Sequence, residues 1–232
     1  MKKFALVLAA ALSMATLAPT DATARYAGRN PECAFSPYVG LTLGVHNVRF
    51  GDVSYYADYN AGLIRRYLSG ELSLGMRNNM WGFEIFYRLT TNESRDGRVA
   101  IFLDDGTNYG WVVPRSRNSF QWEGWGANVF YQFPLRRGAA VEAMVGLGMY
   151  SGDINVIVYD DPATVFVDES VFSPMHQHWN DTLGVTLGLG FSQRVNRNMD
   201  FRGGLRYTMF SGSFLIDNDR SMYVGFRYVF GQ

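Results

Sequence analysis

From residue 37 onward apolar and polar residues alternate along the chain. In the stretch Ser221 to Phe230, Met222, Val224, Phe226, Tyr228 and Phe230 fall on one side of an extended backbone. Ser221, Tyr223, Gly225, Arg227 and Val229 fall on the other, because successive side chains of a strand point to opposite faces. The same period recurs in seven earlier segments. Val39, Leu41, Leu43 and Val45 alternate with Gly40, Thr42, Gly44 and His46; Leu68, Leu72, Leu74 and Met76 oppose Ser69, Glu71, Ser73, Gly75 and Arg77. Trp81, Phe83, Ile85, Tyr87 and Leu89 oppose Gly82, Glu84, Phe86, Arg88 and Thr90. A fourth segment (124–133), a fifth (140–150), a sixth (182–192) and a seventh (200–209) repeat the pattern, placing Glu142, Asp200, Arg202 and Arg206 on the polar side. Trp122 falls outside the phase of the fourth segment and predicts a bulge or the membrane boundary beside it.

Three connections are short, at Asn78-Asn79, Pro134–Gly138 and Asn196–Asn198, and four are long, over Arg49–Arg66, Thr91–Asn118, Gly152–Asp181 and Ser211–Arg220. Short and long alternate strictly. Eight strands close a small barrel, and short turns on one side with long loops on the other mark barrels of the bacterial outer membrane. The apolar positions carry no charge; each Asp, Glu and Arg within the segments lies in the opposite register. A lipid-facing charge would cost about 2–4 kcal/mol at mid-bilayer. A soluble lipocalin-like barrel would have to bury the apolar register and leave Gly75, Gly146, Gly188 and Gly204 on its surface, where glycine weakens a strand for no gain. The pattern therefore predicts an all-β fold, an eight-stranded antiparallel up-and-down transmembrane β-barrel with extracellular hairpin extensions.

Composition adds the route. Lys2 and Lys3 precede an apolar run from Phe4 to Leu17, and Ala22-Thr23-Ala24 reads as a cleavage site, the three parts of a secretory signal peptide. The expected divisions are a signal peptide at 1–24, a periplasmic leader at 25–36 and the barrel at 37–232. Beyond the signal peptide every basic side chain other than histidine is arginine, and the formal net charge of the whole chain is zero, which argues against a nucleic-acid partner. Cys33 is the one cysteine and excludes an internal disulfide framework. Beyond the signal peptide no apolar run is long enough for a spanning helix, and a closed barrel is the other way to satisfy a backbone in lipid.

On these features, and on the closing pattern Val224-x-Phe226-x-Tyr228-x-Phe230, the chain resembles the small outer-membrane β-barrel proteins of the OmpA/OmpX type over about Pro37 to Phe230. The resemblance implies insertion among outer-membrane lipid and lipopolysaccharide, with the closing strand read by the barrel-assembly machinery. Gly231 and Gln232 trailing the last aromatic depart from that family's pattern. It implies no cofactor.

The candidate lumen network comprises Glu71, Arg77, Glu84, Arg88, Glu142, Asp200, Arg202, Arg206 and Arg227. An eight-stranded interior has room only for side chains or a small ligand, so acids and arginines are expected to pair and plug it; a narrow ion path is the alternative. Trp81, Tyr131, Phe133, Phe191, Phe201, Tyr228 and Phe230 are expected to form an interfacial girdle. Residues 99–103 and 109–113 flank Asp104-Asp105-Gly106, and residues 154–159 and 164–167 flank Asp160–Ala163, predicting two hairpins above the membrane. Their open edges would suit an extracellular protein or host-surface ligand. His176 and His178, near Asp181, Asp160 and Asp161, are a weak candidate for a metal. A lipid A-modifying enzyme would need a serine beside a histidine, and the sequence places none within reach of His46, His176 or His178; Ser170 and Ser173 share the loop of the last two. The expectation is a non-enzymatic barrel acting through its external loops in surface interaction, adhesion or membrane integrity.

Overall fold

A computed structural model of the chain describes residues 35–50, 66–98, 101–104, 109–112, 115–159, 175–211 and 216–231. Its strands are β1 (Ser36–Phe50), β2 (Arg66–Arg77), β3 (Trp81–Thr90), β4 (Glu93–Arg98), β5 (Ile101–Asp104), β6 (Tyr109–Val112), β7 (Arg115–Pro134), β8 (Ala139–Tyr159), β9 (Met175–Arg194), β10 (Met199–Ser211) and β11 (Ile216–Val229). Eight of them form an antiparallel ring in the order β1-β2-β3-β7-β8-β9-β10-β11, and the pairing of β11 with β1 closes it. Among the described residues no helix is long and apolar enough to cross a membrane; the crossing is made by strands.

The two registers separate as the alternation dictates. Met222 and Leu189 stand 65% exposed on the outer wall, whereas Arg227 is 0% exposed in the lumen. The outer apolar band ends upward at Asn47, Arg66, Glu123, Ser151 and Arg220, each in outward register on its strand. Downward it ends in rings: Trp81 lies edge-on to Tyr131 at 4.7 Å, Tyr131 to Phe133 at 4.6 Å, and Tyr228 to Phe230 at 5.0 Å.

The lower turns follow from residue chemistry. Asn78 Oδ1 accepts from the amides of Met80 (2.8 Å) and Trp81 (2.6 Å), the side-chain mimic of a backbone turn that Asn favours. In the next turn Arg137 and Gly138 are both left-handed, with φ of 62° and 73°. The ring is sealed beside the third turn, where the Val229 amide donates to Asn198 O (2.7 Å) and the Phe230 amide to Pro37 O (2.9 Å).

Above the membrane the strands run further than the alternation of apolar residues suggests. β7 extends back to Arg115 and β8 on to Tyr159, pairing with each other throughout. Pairing satisfies backbone groups whether or not lipid is present, so the ladder continues while a partner strand remains. Trp122 itself keeps unbroken register on β7, but its partner Gly152 bounds a register shift between β8 and β9 at Tyr150–Gly152, and the outer apolar band ends at the adjacent Glu123, so the bulge and the boundary expected near Trp122 are both there. The fourth external connection, expected over Ser211–Arg220, shrinks to residues 212–215 because β11 begins at Ile216. Residues 154–159 continue β8, pairing with 115–120 on one side and, through Val156, with 175–177 on the other. The expected partner segment 164–167 lies outside the described residues. The first hairpin is present, with Ile101–Asp104 paired to Tyr109–Val112, and β4 pairs with the upper part of β7.

Candidate functional site

All nine residues of the candidate network point into the lumen, and three glutamates organise it. Glu71, from β2, takes Arg88 Nε (2.9 Å) and NH2 (2.7 Å) on Oε2, and Arg206 NH1 (2.5 Å) on Oε2 with NH2 (2.9 Å) on Oε1. Glu84, from β3, accepts from Tyr38 Oη (2.7 Å), Asn128 Nδ2 (3.0 Å) and Arg202 NH1 (2.8 Å). Glu142, from β8, accepts from Arg227 NH1 (3.1 Å) and Gln132 Nε2 (2.6 Å). Below them Arg77 NH2 reaches Asp200 Oδ2 at 2.5 Å. Charges removed from water must find partners of good geometry, and each of these four carboxylates meets a guanidinium from across the barrel.

The guanidinium groups also rest on rings. Arg206 Cζ is 4.1 Å from the Tyr223 centroid, and Arg227 Cζ is 4.7 Å from both Tyr38 and Phe130. Such stacking is electrostatically favourable and fills the width left between strands. The inward glycines make room mainly for these rings: a side chain at Gly82 would run into Phe130, and one at Gly124 into Tyr150. At Gly188 the space is taken by Met144, whose Cε would lie 2.6 Å from an added Cβ.

A second layer closes the extracellular half, and the sequence reading missed most of it. Phe50, Tyr67, Phe120, Trp122 and Tyr150 are buried inside. Phe120 packs on Tyr67 (4.9 Å) and Phe50 (5.4 Å), and Trp122 on Tyr150 (5.5 Å). Phe50, Phe120 and Trp122 keep the even-numbered phase of the inward positions of their strands, so extending the alternation past the apolar band would have found them. Where β3 stops short of β4, Thr90 Oγ1 receives the Trp122 amide and donates to Trp122 O, both at 2.8 Å.

Between the two layers lies a constellation the sequence did not reveal. His46 Nε2 is 2.7 Å from Ser69 Oγ, and His46 Nδ1 is 2.6 Å from Asp219 Oδ2. That is the nucleophile, base and acid order of a serine hydrolase. Register creates it: Ser69 pairs with Gly44, two residues below His46, and Asp219 with Val48, two above, which makes both diagonal neighbours of the imidazole. Trp122 stands edge-on to the ring at 5.2 Å. All three members are buried and face the lumen, away from lipid.

His178 lies on β9, with Nδ1 2.6 Å from Asp153 Oδ1 of β8. The side chains of His176 and Asp181, and residues 160–161, 170 and 173, lie outside the described residues, as does Cys33. Among the described residues no group of three potential ligands gathers around a metal position. On the outer wall Tyr87 Oη donates to Glu123 Oε2 at 2.5 Å, which neutralises much of the polarity of both at the rim of the apolar band. Val224, Phe226 and Tyr228 form the outer row of β11, and Phe230 lies just beyond the strand's end.

Residues 4–230 match a family model described as outer membrane protein beta-barrel domain. No curated protein sequence matches the chain. Among solved structures, neisserial surface protein A is 16% identical, covering 85% of this chain and 99% of its own, with a TM-score of 0.51. A major outer membrane protein of Thermus thermophilus (12% identity, 83% and 99% covered, TM-score 0.49) and OprG of Pseudomonas aeruginosa (12%, 85% and 97%, 0.49) are similar at a lower level. At these identities the first likeness speaks for the fold alone.

Proposed function

The chain belongs to the outer membrane protein beta-barrel domain family, and on that premise we propose that it is a sealed barrel of the bacterial outer membrane whose activity resides in its external surface. The observation that carries this reading is the doubly closed lumen. Below, the Glu71, Glu84 and Glu142 clusters fill the bore with paired charge; above, Phe50, Tyr67, Phe120 and Trp122 fill it with rings. A conducting path requires continuous water, and the buried side chains of both layers stand in its way. The nine lumen residues then act as a plug, and the row ending at Phe230 as the signal read during assembly.

What remains available to a partner is the extension raised by β4, β7, β8 and β9 and the paired β5–β6 hairpin. Strand edges of this kind can accept another chain, which supports adhesion or another surface interaction; tight closure at both ends equally supports a role in membrane integrity. Deleting residues 99–114 separates the two. Loss of binding to host-cell surfaces, with unchanged resistance of cells to detergent, supports surface interaction. Unchanged binding in cells that become detergent-sensitive supports integrity instead.

The aligned Ser69, His46 and Asp219 favour a second reading, a hydrolase. We infer that they serve structure. A lipid A ester lies outside the barrel, whereas this serine faces inward beneath Tyr67 and Phe120, so substrate and nucleophile stand on opposite sides of the wall.

A further inference from the structure

We propose that the notch between two periplasmic turns holds the phosphate of an anionic phospholipid in the inner leaflet of the outer membrane. β8 and β9 pair down to Ala139 and Gln193, and the turn at each strand's lower end carries arginines: Arg136 and Arg137 in one, Arg197 in the other with Arg194 at its entry. Between them opens a recess of about 530 Å³ lined by Arg137, Gly138, Arg194, Val195, Asn196 and Arg197. The recess is built rather than incidental. Gln193 Nε2 donates both to Arg137 O (3.0 Å) and to Arg194 O (3.3 Å), tying the turns together.

Charge decides the class of ligand. Among the described residues no carboxylate pairs with Arg136, Arg137 or Arg197; Arg194 reaches Asp200 only at 4.0 Å, and that carboxylate is already held by Arg77 at 2.5 Å. Three arginines lining one recess, with Arg136 beside them and a single committed acid among them, form an anion site. Arg137 also occupies left-handed backbone, φ 62°, which Asn or Gly would adopt at lower cost, so the turn is strained to place a guanidinium there.

The wall beside the notch makes the anion a lipid. Leu135 and Val195 stand 53% and 57% exposed within the turns themselves. Phe133, Val141 and Phe191 are directly paired across β7, β8 and β9 and form one outward row, a valine between two rings, immediately above. Acyl chains along that row would set a phosphate at the arginines, whose stems can lie on apolar surface while their heads reach the interface. This assignment is independent of whether the lumen conducts.

Native mass spectrometry of the folded full-length barrel, released from micelles doped with equal amounts of phosphatidylglycerol and phosphatidylcholine, tests it. The wild type should retain phosphatidylglycerol at least about fivefold over phosphatidylcholine. R136Q/R137Q/R194Q/R197Q should lose that preference, whereas R66Q/R220Q, at the opposite rim, should keep it. If the quadruple variant does not fold, R137N/R197Q removes one charge from each turn and carries the test. Equal retention of both lipids by the wild type, an undiminished preference in the notch variants, or an equal loss in the rim variant would overturn the proposal. So would displacement of the lipid by millimolar inorganic phosphate, which would make the notch a site for free anions.

Discussion

Glu71 receives four hydrogen bonds from two arginines that come from opposite sides of the lumen. Replacing it with glutamine leaves Arg88 and Arg206 buried without a counter-charge, so Glu71→Gln should lose about 3–5 kcal/mol, read by urea unfolding in micelles. The corresponding change at exposed Asp217, which faces exposed Arg49 at 3.6 Å, should cost little, because surface charges are worth ~0–1 kcal/mol. Ser69 gives a prediction of the opposite kind. Sealed beneath Tyr67 and Phe120, it should not react with a fluorophosphonate probe in the folded protein, and labelling that disappears in Ser69→Ala would restore the hydrolase reading. The two sites differ in how far sequence could reach them. Glu71 needs only the parity of its own strand to be placed inside. The contacts of Ser69 with His46, and of His46 with Asp219, need the register between β1, β2 and β11, which loops of unknown reach leave undetermined.

β11 carries the strongest alternation in the chain and closes the ring against β1. Val224 lies in the middle of its outer row, flanked by Met222 and Phe226. Val224→Arg should therefore cost about 2–4 kcal/mol of barrel stability, measured by unfolding in lipid vesicles, whereas Arg227, one face over, is tolerated because Glu142 and the Tyr38 and Phe130 rings receive it. The β5–β6 hairpin pairs within itself and stands apart from the barrel sheet. Its deletion with residues 99–114 should leave the heat-modifiable shift of a folded barrel on gels unchanged. Lower turns such as Asn78-Asn79 were legible because short loops constrain their residues tightly. The upper limits of β7 and β8 were not: beyond Glu123 and Ser151 no lipid enforces an apolar row, so alternation fades while pairing goes on. Trp122 breaks the apolar phase for the same reason, because it stands inward where the lipid-facing row ends.

Across the whole molecule the barrel divides into a lipid-facing wall, a lower bore of paired charge and an upper bore of stacked rings, leaving the rims to meet partners. The wall and its closure were legible because the bilayer imposes one rule on every strand. The upper rim was legible only in part, because water imposes no such rule on its strands. Planar-bilayer recording of the purified barrel tests the central claim most directly. The account expects an electrically silent membrane with wild-type protein at moderate voltage, whether or not residues 99–114 are present. Steady ohmic steps from the wild type, persisting after that deletion, would mean that water threads the bore past Glu71 and Trp122, and would contradict it.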